Sequence, residues 1–394
     1  MEKFWETIKA FFINSGIAGF FSLDGGWRYL VMIIIACVLL FLAIKKKFEP
    51  YLLLPIAFGM LLVNLPFVNK ELFVKEEDGG YSGIFGFLYY GVKWGIYPCL
   101  IFLCIGATTD FGPLIANKKT MLLGAAAQLG IFVTFIGAII LGKNVLGWTN
   151  FDAKIASAIG IIGGADGPTA ILVTSKLAPE YLSSIAIVAY SYMALVPVIQ
   201  PPIIRLLTTK KERQIKMETP REVSKTEKIL FPIIVTMVTI LIVPSAAPLI
   251  GCLMLGNLIK ESGVVPQITE TLAKTLMYII TVLLGVCVGC TAVAETFLTL
   301  ETILIFALGI FAFSFATAFG VLGGKLMCLI TKGKVNPMIG AAGVSAVPMA
   351  ARVVHKEGLK EDPTNFLLMH AMGPNVAGVI GSAVAAGVLL LLFL

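Results

Sequence analysis

Apolar residues fall along this chain in long unbroken runs, without the alternation of a half-buried strand or the single stripe of a soluble amphipathic helix. The runs at 29–44, 120–141 and 229–243 read as membrane-type helical spans, separated by short charged turns. On this pattern the first half predicts apolar elements near 28–45, 50–66, 81–107, 119–142, 153–175 and 183–207. After a basic loop at 208–228, a second set follows near 229–246, 247–261, 271–295, 299–323, 335–353 and 363–394. The alternating segments of an outer-membrane barrel do not occur. The expected fold is an all-α polytopic membrane protein. Residues 1–27 mix apolar and charged positions without the order of a cleaved signal, and are expected to form an interfacial lead-in.

Composition agrees with this reading. Of 394 residues, 58% are hydrophobic and 13% charged, with a mean hydropathy of +0.94, far from the usage of soluble domains. The net charge of +7 follows from insertion, because Lys and Arg collect in cytoplasmic loops. The loop with Lys210, Lys211, Arg213, Lys216, Arg221, Lys225 and Lys228 is the strongest such marker, and the clusters Lys45 to Lys47 and Lys118, Lys119 belong on the same side. Counting spans from those clusters puts the 208–228 loop outside if 153–175 crosses fully, and inside if 153–175 is re-entrant. The same count places Lys332, Lys334, Arg352 and Lys356 inside when 335–353 is re-entrant from the opposite face. The chain then divides into two membrane repeats, 28–207 and 229–394, each with one Gly/Pro-broken element.

An inverted repeat places two such elements opposite one another, and the sequence carries a matching echo. Ile159-Gly160-x-x-Gly163-x-x-x-x-Pro168-x-Ala170 reappears as Ile339-Gly340-x-x-Gly343-x-x-x-x-Pro348-x-Ala350. Upstream, Cys104-Ile105-Gly106-Ala107-Thr108 is echoed more loosely by Cys287-Val288-Gly289-Cys290-Thr291.

The candidate chemistry lies in these breaks. Gly163-Gly164-Ala165-Asp166-Gly167-Pro168-Thr169 sets a carboxylate among helix-disrupting residues in the middle of an apolar stretch. An isolated carboxylate at that depth costs roughly 3 kcal/mol or more unless it is paired or protonated. Backbone carbonyls freed by the break are further oxygen ligands for a hard cation. The competing reading, a surface Gly-x-Asp-Gly-Pro turn, fits poorly with the apolar flanks 159–162 and 170–173. The second break offers Asn336, Ser345, Pro348 and Arg352, with Asn375 beyond it in Met372-Gly373-Pro374-Asn375. Arg352 either holds an anionic substrate at the cytoplasmic mouth or anchors the segment at the headgroups. Tyr192, beside Tyr190 and Ser191, either reaches the same cavity or packs in the bundle. Asp110 and Glu295 rank as turn or cap residues, and Cys287 and Cys290 as packing residues rather than a metal site.

At these positions the sequence resembles the membrane-embedded β subunits of the sodium-pumping biotin-dependent decarboxylases, which act on oxaloacetate, methylmalonyl-CoA or glutaconyl-CoA. The stretches that carry the resemblance are 163–169, Thr109-Asp110-Phe111-Gly112-Pro113-Leu114, 336–352 and His370-Ala371-Met372-Gly373-Pro374-Asn375-Val376-Ala377-Gly378. The resemblance implies an inverted-repeat bundle with crossed broken helices, similar to cation/proton antiporters. It also implies decarboxylation of carboxybiotin with Na+ export and consumption of a proton. Asp166, Asn336 and Asn375 are then expected as Na+ ligands, and Tyr192, Gly340, Ser345 and Arg352 in ion binding or proton delivery. The implied partners are a biotinylated carboxyltransferase α subunit that presents carboxybiotin and a small membrane γ or δ subunit, in a trimeric assembly in the bacterial cytoplasmic membrane. The residues alone reach only a cation site, which a stand-alone secondary transporter, a Na+/H+ antiporter or a Na+-coupled carboxylate carrier, would share.

Overall fold

The apolar runs form helices in a computed structural model, which describes residues 4–6, 11, 15–22, 26–47, 49–68, 72–76, 80–142 and 151–394. About half of the expected N-terminal lead-in lies outside the described residues; among those described, helix α1 spans Gly16–Ser22. Next come α2 (Gly26–Lys45) and α3 (Pro50–Val63), then a two-stranded antiparallel hairpin, β1 (Val74–Lys75) and β2 (Tyr81–Ser82). Helices α4 (Ile84–Lys93) and α5 (Ile96–Thr108) form one apolar stretch bent by 64°. Gly95 sits in the bend at φ +78°, a left-handed conformation that favours glycine. After α6 (Gly112–Ala116) and α7 (Met121–Ile140), the first broken element comprises α8 (Ala153–Gly160), a 3-10 turn Ile161–Gly164 and α9 (Gly167–Leu177). Helix α10 (Leu182–Leu207) bends by 63° near residue 194; Pro197 lacks the amide that would bond the Met193 carbonyl.

The second half repeats this order. After α11 (Lys210–Arg213) come α12 (Lys225–Ile242), α13 (Ala247–Ser262), α14 (Pro266–Cys290), α15 (Ala294–Phe297) and α16 (Leu300–Ile330). The second broken element is a 3-10 segment, Pro337–Gly343, followed by an irregular run and α17 (Met349–Glu361); α18 (Leu368–Phe393) closes the chain. This element runs past the expected limit of 353, because α17 continues into a charged segment with no apolar signal. Among the described residues, five helices are long and apolar enough to cross a membrane, and seven spans result if each bent pair counts as one. The protein is an all-α polytopic membrane protein.

In both broken elements the two arms pack on each other, α8 on α9 and the 3-10 segment on α17, so each doubles back. The halves also pack reciprocally. Helix α3 lies on α14 while α13 lies on α5, and α10 lies on α16 while α18 lies on α7. Backbone contact at glycine permits the first two pairings. A Cβ on Gly59 would stand 2.5 Å from the Val286 carbonyl, and one on Gly256 would overlap that of Leu103. Gly106 meets Leu253 and Asn257 just as Gly289 meets Ile56 and Met60. Thus the echo around Gly106 and Gly289 marks equivalent helix crossings.

Candidate ion-translocation site

The first break is built by its own residues. The 3-10 turn ends at Ala165 in the left-handed region (φ 54°), and the chain restarts as α9 with Pro168 in its first turn, where no amide donor is needed. Asp166 is the N-cap of α9 and accepts the Thr169 N–H at 3.3 Å. Its carboxylate is only 5% exposed and lies at the positive end of the helix dipole. The other oxygen accepts a hydrogen bond from Ser382 Oγ at 2.7 Å. No Lys, Arg or His forms a hydrogen bond or ion pair with it among the described residues.

The second break crosses the first at this point. The Ser345 N–H donates to the Gly164 carbonyl at 2.9 Å. Asn375 on α18 secures the irregular run: its Nδ2 donates to the carbonyls of Ala342 at 2.9 Å and Val344 at 2.7 Å. Ser382 follows two turns later on the same face of α18, so one helix faces the second break at 375 and Asp166 at 382. Gln128 on α7 ties the group together, donating to the carbonyls of Gly343 at 3.3 Å and Gly378 at 3.2 Å. Several buried oxygens here have no hydrogen-bond partner among the described residues, namely Ser345 Oγ, Asn375 Oδ1, Gln128 Oε1 and the Tyr190 hydroxyl. Unmatched oxygens around one uncompensated carboxylate fit a hard monovalent cation.

Asp166, Tyr190 and Ser345 line a cavity of 710 Å3, which also reaches Glu49, Asp110 and Arg352. Asp110 is half exposed and lies 3.6 Å from Lys228, while Arg352 is exposed and has no ion-pair partner among the described residues. The cavity therefore runs from the crossing of the breaks to the end of the molecule that carries the basic loop.

The family model described as Na+-transporting oxaloacetate decarboxylase beta subunit matches residues 28–393. The chain is 56% identical over 391 residues to the methylmalonyl-CoA decarboxylase subunit beta of Propionigenium modestum, covering 95% of this chain and 97% of that one. It is 53% identical over 390 residues to the glutaconyl-CoA decarboxylase subunit beta of Acidaminococcus fermentans, covering 99% and 98%. The oxaloacetate decarboxylase beta chain of Klebsiella pneumoniae is 49% identical over 426 residues, with 96% and 98% covered. The chain belongs to the family of Na+-transporting decarboxylase β subunits.

In this β subunit the fold brings four of the seven expected site residues to one cavity or its rim: Asp166, Ser345 and Asn375 at the crossing and Arg352 at the mouth. The other three sit elsewhere. Tyr192 turns away from the cavity and donates its hydroxyl to the Phe306 carbonyl on α16, with its ring edge-on to Phe306. Asn336 caps the 3-10 segment by accepting the Met338 N–H at 3.0 Å, and its Nδ2 donates to the carbonyls of Arg213 and Ile215 at 3.0 and 2.9 Å. With those atoms engaged it fastens the basic loop and does not line the cavity. Gly340 is a close-packing position, where a Cβ would overlap the Gly320 carbonyl. Sequence reasoning passed over Ser382 and Gln128. Both were detectable in principle, Ser382 by its seven-residue spacing from Asn375 and Gln128 as a polar side chain inside the apolar run 120–141. Asp110, ranked as a turn residue, does bond its own turn at Gly112 N and lines the mouth as well.

Proposed function

We propose that this β subunit removes CO2 from carboxybiotin presented by a partner subunit and couples that step to export of Na+ bound at Asp166. What carries the proposal is the position of Asp166: a buried carboxylate without a basic partner among the described residues, at the crossing of two broken elements, on the floor of a cavity open to the basic end. A charge so placed costs several kcal/mol, about 3 or more, and is relieved by a cation or a proton. Both cannot occupy the carboxylate at once. Loading Na+ therefore expels a proton, and protonation releases Na+, which links ion movement to proton consumption.

Decarboxylation breaks the N–C bond of carboxybiotin; the nitrogen keeps the electron pair and takes up one proton as CO2 leaves. Arg352, at the mouth and without an ion-pair partner among the described residues, supports a role in receiving the anionic carboxyl group, as a planar guanidinium suits a carboxylate. The lysine clusters support a cytoplasmic mouth in a bacterial cytoplasmic membrane, with the repeats 28–207 and 229–394 inverted about the crossing and the 208–228 loop inside. A biotinylated carboxyltransferase α subunit, a small γ or δ subunit and a trimeric arrangement complete the proposed assembly.

The test is CO2 release from free carboxybiotin by the purified chain in liposomes, with radioactive Na+ flux followed in parallel. The wild type is expected to couple the two. Asp166→Asn is expected to lose both while inserting normally, and wild-type Na+ stimulation in that variant overturns the assignment. Flux driven by a pH gradient, with no response to carboxybiotin even with the partner subunits added, would instead identify a secondary antiporter.

A further inference from the structure

Tyr190 and Tyr192 stand two residues apart on α10, yet their hydroxyls meet different fates. That of Tyr192 is used by the Phe306 carbonyl. That of Tyr190 is fully buried and meets no donor or acceptor among the described residues. A buried phenol without a hydrogen-bond partner is uncommon, because its hydroxyl gives up water and gains nothing in return. Its surroundings indicate what is missing. The ring presses on Gly167 so closely that a Cβ there would overlap Cε1 and Cζ and stand 2.6 Å from the hydroxyl oxygen. That oxygen therefore lies beside the Asp166–Gly167 peptide, on the cavity floor that Asp166 and Ser345 also line. The Ser345 hydroxyl is unmatched too.

A hard monovalent cation is held by oxygens, and one carboxylate with neutral hydroxyls around it suits a single positive charge. We infer that the Tyr190 hydroxyl oxygen is a direct ligand of the Na+ held by Asp166, and that residue 167 is glycine because a side chain there would push the phenol out of reach. The inference rests on the reading of Asp166 as the Na+ site. It assigns the ligand role to Tyr190 and leaves Tyr192 with a packing role between α10 and α16.

The experiment measures the thermal midpoint of the purified full chain against NaCl, with choline chloride keeping ionic strength constant, for the wild type, Tyr190→Phe, Tyr192→Phe and Gly167→Ala. Loss of one ligand is expected to raise the Na+ needed for half the stabilisation about tenfold in Tyr190→Phe, with the midpoint in choline alone near that of the wild type. The same displacement is expected in the Na+ dependence of CO2 release. Tyr192→Phe should lower the midpoint in choline and keep the wild-type Na+ dependence. Gly167→Ala should reproduce the Na+ defect of Tyr190→Phe. A Tyr190→Phe protein with wild-type Na+ dependence overturns the inference, as does one in which only the pH profile of CO2 release moves, since that marks a proton carrier. Absence of any Na+-specific stabilisation in the wild type removes the Asp166 reading itself, which separates the two failures.

Discussion

At the scale of the residue, Asp166 has a structural role on which the proposed ion binding is laid. As N-cap it satisfies the Thr169 amide, which any Asp, Asn or Ser would do, but its depth makes its negative charge costly and so useful. Ser382 is the side chain that holds the second carboxylate oxygen, at 2.7 Å. A hydrogen bond to a charged group is worth about 1.5–3 kcal/mol, so Ser382→Ala is expected to raise half-saturating Na+ roughly tenfold. Titrating CO2 release with Na+ checks this, and an unchanged titration would show that Ser382 does not shape the site. Ser382→Thr, which keeps the hydroxyl, should recover most of the loss.

At the scale of the element, the helices approach to backbone contact wherever glycine removes the side chain. Gly256 meets Leu103 and Ala107 of α5, and Gly59 meets Val286 and Cys290 of α14. Enlarging either position forces the backbones apart, so Gly256→Val and Gly59→Val should each lower stability by about 1–3 kcal/mol in detergent unfolding. Gly251→Ala, with nothing within 4 Å of its new Cβ, should be close to neutral, and equal losses in all three would refute the contact argument. The loop between the halves acts as a strap on the second broken element. Asn336 and Asn365 both donate to the Arg213 carbonyl, Arg213 pairs with Glu361 at 2.8 Å, and Lys216 pairs with Asp362 at 3.0 Å. Hydrogen bonds from the Thr364 hydroxyl and N–H, with Lys216 beside them, hold the Asp362 carboxyl down at about 2. A carboxyl depressed in the folded state contributes fully above its ordinary value, near about 4, and that contribution disappears as pH falls through the folded value. Protection of the Gln214 and Ile215 amides, read as hydrogen exchange relative to its intrinsic rate at each pH, should therefore be high at pH 5 and fall between about pH 4 and 2, and in Asp362→Asn it should be low already at pH 7.

At the scale of the whole molecule, the two ends differ in charge. The end with Asp110, Lys228, Arg213, Lys216 and Arg352 is rich in cations, while the opposite end has a smaller cavity with Glu180 and Glu295, the latter accepting from Tyr29. Insertion favours the basic end in the cytoplasm. In a cysteine-free background, Lys211→Cys should be labelled by an impermeant thiol reagent only in inside-out vesicles, and Glu180→Cys only in right-side-out ones. Labelling of both from one side would show that α10 does not cross the membrane and would overturn the proposed inverted-repeat topology. Hydropathy and basic clusters in the sequence determined the helical membrane class and the positions of most helices, because the bilayer imposes a length and an apolar content that can be read locally. The spacing of Gly, Pro and Asp determined that 153–175 is broken and that Asp166 is the candidate in it, since a charge within an apolar run has few other uses. Which oxygens surround Asp166 was decided by the tertiary fold alone. Tyr190 and Tyr192 are two residues apart on one helix, and only the packing of α10 against Gly167 on one side and Phe306 on the other separates the phenol facing the cavity from the one that does not. Asn336 and Asn375 are equally polar in sequence, but the basic loop reaches the first and the crossing of the breaks reaches the second. Contacts between residues far apart in the chain set those roles, and neither composition nor spacing encodes them locally.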